Sequence, residues 1–381
     1  MKKFLALLLA AVMTLALVAC GGKDNGDANN DGKKTEKVAM ITDYGDITDQ
    51  SFNQTTYEAC KAYCEANGVD FNYYKPSGDS TAERVAMIEK AVEEGYTVIV
   101  MPGYAFGGAI KEAQDTYPNV KFVALDVSEY DITSEFYKKD ASGNATDELL
   151  SADKQPHVSK NVYSAVYKEE LCGYMAGYAA VKLGYKNLGF LGGMAVPAVQ
   201  RYGLGFVQGV DAAAAELKLT DVKVNYVYGG QFFGDADITA AMDTWYAGGT
   251  QVVFACGGGI YTSAVDAAKK VEGAKVIGVD VDQAGVIANY AAGEDADQAP
   301  IDGYKALTVT SAMKGLAESV NEALTDALNN GWKFSETYSG KETKLGAAEN
   351  CVGLPMSTSK FTKFTQEQYD SMYASIVDGT L

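Results

Sequence analysis

A chain of 381 residues, 47% hydrophobic and 22% charged, can bury sizeable cores and is neither a disordered polymer nor a fibrous repeat. With 50 acidic against 32 basic side chains its net charge is -18, which argues against a surface that grips phosphate backbones, so nucleic acid is not an expected partner. The single histidine, His157, leaves no second imidazole for a His-based metal site, and six cysteines do not make a disulfide scaffold in a chain this long.

Lys2 and Lys3 precede an apolar run of 16 residues from Phe4 to Ala19, too short to span a bilayer and of the right length for the apolar region of a signal peptide. The run ends in Leu17-Val18-Ala19-Cys20, which resembles the lipobox of bacterial lipoproteins and implies removal of residues 1–19 with lipid attached to Cys20. Residues 20–35 are Gly-, Asn- and Asp-rich and read as a flexible tether. Such an anchor would hold a water-soluble domain on the extracytoplasmic face of a cell membrane, touching it through the N-terminal lipid only. The other cysteines, Cys60, Cys64, Cys172, Cys256 and Cys351, are odd in number and read as buried free thiols.

Past the tether, short apolar runs alternate with helical patterns. Runs at 37–42, 71–74, 97–101 and 121–125 are separated by amphipathic stretches near 51–67, 82–95 and 107–117. The polar stretch 132–160, with Gly143 and Pro156, breaks the rhythm as a surface insertion. It restarts with runs at 162–166, 187–191, 223–227, 251–255 and 275–279, alternating with helices at 169–183, 202–217, 236–247 and 262–271. A last helix is predicted over 307–328, and the tail from Thr343 is expected to cross back between lobes. Short, non-alternating apolar runs between helices mark parallel strands covered on both faces, so the fold class is α/β with two doubly wound lobes. The expected division assigns 36–160 plus about 284–328 to an N-terminal lobe and 161–283 plus about 329–381 to a C-terminal lobe.

Open parallel sheets bind ligands beyond the carboxyl ends of their strands. Those ends carry Asp43 and Tyr44, Gly103 and Tyr104, Asp126, Gly192 and Gly193, Gln231 to Phe233, Gly257 to Gly259, and Asp280. They offer carboxylates, aromatic rings and bare backbone with no basic cluster, which suits a neutral polyhydroxylated ligand with a flat apolar part. Neither Gly-rich turn forms the Gly-x-Gly-x-x-Gly pattern that opens a dinucleotide-binding helix. The spacing of Asp43, Asp46 and Asp49 gives partial oxygen ligation at best, so neither catalysis, metal nor cofactor is expected.

These strand ends resemble the BMP family (basic membrane protein, or purine nucleoside receptor type) of lipoproteins. The likeness is carried by residues 41–54 with Ser51-Phe52-Asn53, by 189–194 with Pro197 and 201–209, by 254–259, 277–283 and 307–314, and by 349–354. It implies a type I periplasmic-binding fold whose lobes are joined by three crossover segments and which feeds nucleosides to the permease of an ABC importer. It further implies that Phe52 stacks on one face of the base and Phe232, Phe233 or Phe254 on the other. Asp43, Asn53 and Asp126 would surround the base edge, Asp280 and Lys314 would hold the ribose, and the backbone at Gly258 would approach the ligand. Gln50 departs from the lysine common in the family, and Gln231 stands where a small residue is usual. The alternative reading is a sugar-binding protein of the same fold, or a ligand-sensing receptor without transport.

Overall fold

The computed structural model describes residues 36–293, 297–337 and 341–381. The expected signal peptide, Cys20 and the tether lie outside the described residues.

Fourteen strands organise the described chain: β1 (Val38–Ile41), β2 (Phe71–Tyr74), β3 (Val98–Pro102), β4 (Lys121–Leu125), β5 (Tyr137–Lys139), β6 (Ala145–Leu149), β7 (Val162–Tyr167), β8 (Asn187–Gly192), β9 (Lys223–Tyr228), β10 (Val252–Cys256), β11 (Lys275–Asp280), β12 (Thr308–Lys314), β13 (Glu342–Leu345) and β14 (Val352–Gly353). Two six-stranded sheets result, ordered β13-β7-β4-β3-β1-β2 and β14-β12-β11-β10-β8-β9. The first is parallel throughout, and in the second only β14 runs antiparallel, to β12. β5 and β6 form a separate antiparallel hairpin inside the insertion after β4.

Burial explains the uninterrupted apolar runs. Every residue of β1, β3, β7 and β10 is buried, because helices cover both faces of each sheet. On the first sheet, helices Phe52–Asn67 and Leu316–Asn329 pack one face through Cys60, Cys64, Val320 and Leu324. Helices Thr81–Glu93 and Gly107–Thr116 cover the other through Ile88, Ala109 and Ile110. In the second lobe, helices Glu169–Lys182, Pro197–Glu216 and Gln366–Val377 take one face. Helices Ala236–Ala247, Tyr261–Ala268 and Ala284–Ala292 take the other. The five described cysteines are free and buried.

The chain changes lobe at three places: at Lys168 after β7, at Gly315 after β12, and over 346–351 after β13. These crossings are stitched together, since Lys168 N–H donates to Leu345 C=O at 2.9 Å and Gly315 N–H donates to Cys351 C=O at 2.8 Å.

Several expectations need correction. The segment 162–167 closes the first sheet beside β4 and does not open the second lobe. Residues 284–292 pack into the second lobe's core, and 307–328 is not one helix. Its first part, Thr308-Val309-Thr310-Ser311, is rich in β-branched residues and pairs with β11 as a strand, and the helix begins only after Gly315. The helix expected from 202 starts at Pro197, whose fixed φ and missing N–H suit the first helical position.

Candidate functional site

The carboxyl ends of both sheets face one another across a cavity of about 610 Å3. Asp43, Phe52, Asn53, Asp126, Phe232, Phe233, Gly258, Asp280 and Lys314 all line it. Phe254 does not. It is fully buried inside β10 and packs edge-on against Phe190 and Tyr202, so its assignment as a stacking ring is corrected to a core role.

One wall is built by the loop after β1. Asp43 is 7% exposed and accepts from Gly45 N–H at 2.8 Å. Burial pushes its carboxyl up to about 6, against backbone donation from Gly45 and the more distant Arg84 charge, which pull it down. Asn53 packs directly against Gly45, where a Cβ would collide with its Nδ2. Its Nδ2 donates to Asp49 at 3.1 Å, which orients the amide and leaves Oδ1 buried with no hydrogen-bond partner. Asp49 also accepts from the backbone N–H groups of Ser51, Asn53 and Gln54, so it caps the helix and positions Asn53.

The aromatic pair across the cleft is Tyr44 and Phe232, with ring centroids 6.2 Å apart and planes 12° from parallel. Tyr44 comes from the first lobe and Phe232 from the second. The Tyr44 hydroxyl donates to the Tyr104 hydroxyl at 3.4 Å and reaches Met194 Sδ at 3.9 Å. Phe232 fits because Gly193 and Gly257 are glycines: a Cβ at Gly257 would come within 2.8 Å of the Phe232 ring. Phe233 sits at the rim, 61% exposed. Phe52 faces Lys314, whose Nζ lies 4.5 Å from its ring centroid, a cation–π contact that covers one face of the ring.

The deepest part of the cleft is ionic. Lys314 ends β12, on a strand and not on a helix surface, and its side chain is 3% exposed. Its ammonium donates to Asp126 Oδ2 and to Glu169 Oε1 at 3.3 Å, and lies 3.7 Å from Asp280 Oδ1. Asp126 therefore belongs to the Lys314 cluster and is not grouped with Asp43 and Asn53. Asp126 Oδ1 is buried and has no hydrogen-bond partner. Asp280 accepts from Ser51 Oγ at 2.6 Å and from Tyr202 OH at 3.1 Å. Both aspartates follow or end a strand in left-handed backbone, with φ of 57° and 65°, and Gln50 opposite has φ of 56°. Such conformations are costly for residues with a side chain and collect at binding sites, where packing holds them. Among the described residues no group of His, Cys, Asp and Glu could hold a metal ion.

A family model described as "ABC transporter substrate-binding protein PnrA-like" matches residues 36–379. The chain belongs to this family, Bmp. An ABC transporter nucleoside-binding protein from Lactococcus lactis is 27% identical over 295 residues, covering 74% of each chain. An uncharacterised lipoprotein from Pyrococcus horikoshii is 26% identical over 386 residues, 96% of this chain and 81% of the relative. An ABC transporter solute-binding protein of known structure from Aeropyrum pernix shares the fold with a TM-score of 0.67 at 18% identity, over 91% of this chain and 92% of its own. As a Bmp protein, the chain is a substrate-binding component of an ABC transporter system.

Sequence reasoning missed Tyr44, Arg201 and Glu169 as site residues. Tyr44 and Arg201 stand inside the motifs that carried the resemblance and line the cavity. Glu169 opens the helix after the first crossing, where a carboxylate reads as an ordinary helix-start residue.

Proposed function

We propose that this Bmp protein is an extracytoplasmic lipoprotein that binds a purine nucleoside between its lobes and delivers it to the permease of an ABC importer. The observation that carries the reading is the near-parallel Tyr44–Phe232 pair beside two fixed acceptors, Asp43 and Asn53 Oδ1. Carbon atoms in contact sit about 3.5 Å apart, so a flat ring between two others needs a gap of about 7 Å. The centroids lie 6.2 Å apart, which is the upper bound of the present gap between the rings, so the lobes must open by at least about 1 Å to admit a planar heterocycle. Once there, its edge donors meet the Asp43 carboxylate and Asn53 Oδ1, which suits the amino and ring N–H groups of purines. At the other end Asp126 Oδ1 is an unmet acceptor. The Asp280 carboxylate, which already takes two hydrogen bonds, keeps room for two more, which suits a pentose diol.

The name of the Lactococcus relative supports the ligand class, and the lipoprotein names of the Pyrococcus relatives support the anchor read at Cys20. Binding proceeds without turnover in this reading, and hinge closure signals occupancy to the transporter. Calorimetry with inosine, guanosine, adenosine, uridine, ribose and galactose tests it. Saturable binding of nucleosides is expected, and binding of free sugars alone overturns it. Release of free base from inosine overturns the non-enzymatic part. For the anchor, incorporation of labelled fatty acid is expected in the full chain and lost in Cys20→Ser.

A further inference from the structure

Glu169 is buried completely, yet it has no place in the recognition scheme above. It is the first residue of helix Glu169–Lys182, immediately after the crossing at Lys168, and its side chain is 0% exposed. A carboxylate removed from water needs partners for both oxygens. Oε1 accepts from Lys314 Nζ at 3.3 Å and Oε2 accepts from Arg201 Nε at 2.6 Å. Lys314 and Arg201 are the only cations among the residues lining the cavity, and this one carboxylate holds both. Arg201 reaches it because helices Glu169–Lys182 and Pro197–Glu216 meet through glycines at 173, 177, 205 and 209, where a Cβ would collide with the facing backbone.

We propose that Glu169 is a positioning residue for ligand recognition: it fixes Lys314 and Arg201 as one rigid unit, so that Asp126 and Asp280 present their free acceptor sites to the sugar hydroxyls. This rests on the nucleoside reading of the same cleft. Lys314 is caged by three carboxylates, from the β4 end (Asp126), the β11 end (Asp280) and Glu169. When Glu169 is ionised, it draws the ammonium away from Asp280, whose Oδ1 lies 3.7 Å off, and Asp126 keeps only Oδ2 committed. When Glu169 takes up a proton, that pull is lost, and Lys314 closes on Asp280 Oδ1 and turns a second N–H to Asp126 Oδ1, consuming the acceptors that the pentose needs.

Burial, reinforced by the Asp126 charge, pushes Glu169 up to about 8, with Lys314 and Arg201 opposing the shift. The other groups facing this cluster are Cys172 on its own helix, Tyr202 beside Arg201, Cys256 at the end of β10 and Tyr167 at the end of β7 against the Lys314 ammonium, all driven well above their ordinary values by burial, together with Asp280 and with Glu170 and Asp131 near Arg201. If only the ionised form binds well, the competent fraction grows from about 0.1 at about pH 7 to about 0.9 at about pH 9, and apparent affinity rises about tenfold. Binding near neutral pH then releases close to one proton.

The test is calorimetry with adenosine, whose base does not titrate in this range, on the wild type and Glu169→Gln, in two buffers of different ionisation enthalpy. The expected result is about tenfold tighter binding at about pH 9 than at about pH 7 for wild type, with proton release at the lower pH. Glu169→Gln should show neither, binding about a hundredfold more weakly than wild type at about pH 9, since only a neutral form that weak lets binding near neutral pH release close to one proton. Equal affinities for the two proteins at the higher pH, or binding by wild type without proton release, overturn the positioning role alone. If wild type binds another nucleoside but not adenosine, the same comparison is made with that nucleoside; binding of none of the four nucleosides overturns the nucleoside reading and this inference with it. Should Glu169→Gln not fold, the wild-type proton count decides.

Discussion

Asp43 offers a test in which stability and function move in opposite directions. Its carboxyl is raised from 3.8 to about 6 because it is buried, so its ionised form is disfavoured in the folded chain relative to the unfolded one. The folded value lies above the unfolded value, so this group favours the native state below about pH 4, and that contribution is lost as pH rises through about 6. A shift of about two pH units at 1.36 kcal/mol each makes the ionised carboxylate cost about 3 kcal/mol at neutral pH. Asp43→Asn keeps the shape, and the amide oxygen still accepts from Gly45 N–H, but the charge is gone. The variant is therefore expected to be more stable than wild type by up to about 3 kcal/mol at about pH 7, with the advantage vanishing near pH 4. Nucleoside affinity is expected to fall by about 1.5–3 kcal/mol, the worth of hydrogen bonds to a charged acceptor. Thermal melts at several pH values, paired with calorimetry, read both effects. A variant that melts at or below the wild-type temperature at neutral pH, or whose advantage is the same at acidic pH, refutes the assignment of burial as the cause.

Other outcomes follow from the same geometry. Tyr44→Ala and Phe232→Ala are each expected to weaken nucleoside binding by about 1–3 kcal/mol in calorimetry, since each removes one stacking face, and unchanged affinity in both removes the sandwich. Phe254→Ala is expected to lower the stability read from the urea midpoint by about 3–5 kcal/mol, because it leaves a cavity among Phe190, Tyr202 and Phe206; an unchanged midpoint contradicts its core role. Burial pushes the Cys64 thiol up to about 11 and Cys351 up to about 12, and Cys60, Cys172 and Cys256 well above their ordinary values. None of the five should react with a thiol reagent in the native protein, and all should react in denaturant; rapid native labelling contradicts their burial.

The architecture was legible because parallel strands covered on both faces need uninterrupted apolar runs, and Val38–Ile41, Val98–Pro102 and Val252–Cys256 have them. The crossings were harder to read. Val162–Tyr167 is as apolar as a strand of either sheet, and only its pairing with Lys121–Leu125 assigns it to the first. Thr308–Lys314 followed by Leu316–Asn329 is a strand and a helix separated by one glycine, and the amphipathic pattern of the helix masked the β-branched residues before it. Within the cleft, Asp43, Asp126 and Asp280 were legible because polar residues at the ends of apolar runs stand out, whereas Asn53 and Lys314 came only from the resemblance to the BMP family, Lys314 lying inside a segment read as helix. Aromatic residues give no such contrast. Phe232, Phe254 and Tyr44 all read as ring-bearing positions near strand ends, and which of them enters the core depends on two residues along the strand: Phe254 lies inside β10, whereas Cys256 at its end is already in the cavity wall. Glu169 was invisible for another reason, since its burial comes from glycines on two helices that only the packed structure brings together.

The hinge and the binding site share the same atoms, and this bears on how ligand energy is used. Three polar contacts join the lobes at the cleft floor: Lys314 with Asp126, Ser51 Oγ with Asp280 Oδ2 at 2.6 Å, and Gln283 Nε2 with Gln50 C=O at 3.1 Å. Each has one partner on a first-lobe loop and the other at a second-lobe strand end or, for Gln283, just beyond one at the start of helix Ala284–Ala292, so each weakens as the lobes separate. Two of these partners, Asp126 and Asp280, are also proposed to receive the sugar. A ligand shifts the lobes toward closure only by the difference between its contacts in the closed and open states. Hydroxyls that add to the remaining lone pairs of Asp126 and Asp280 leave the lobe-to-lobe bonds intact and contribute their full energy to closure. A ligand group that displaces Ser51 from Asp280 or competes with Lys314 for Asp126 must first replace what the lobes already had. Specificity in this cleft is thus a matter of how many acceptor sites stay unclaimed, and the carboxylates that close the hinge set that number.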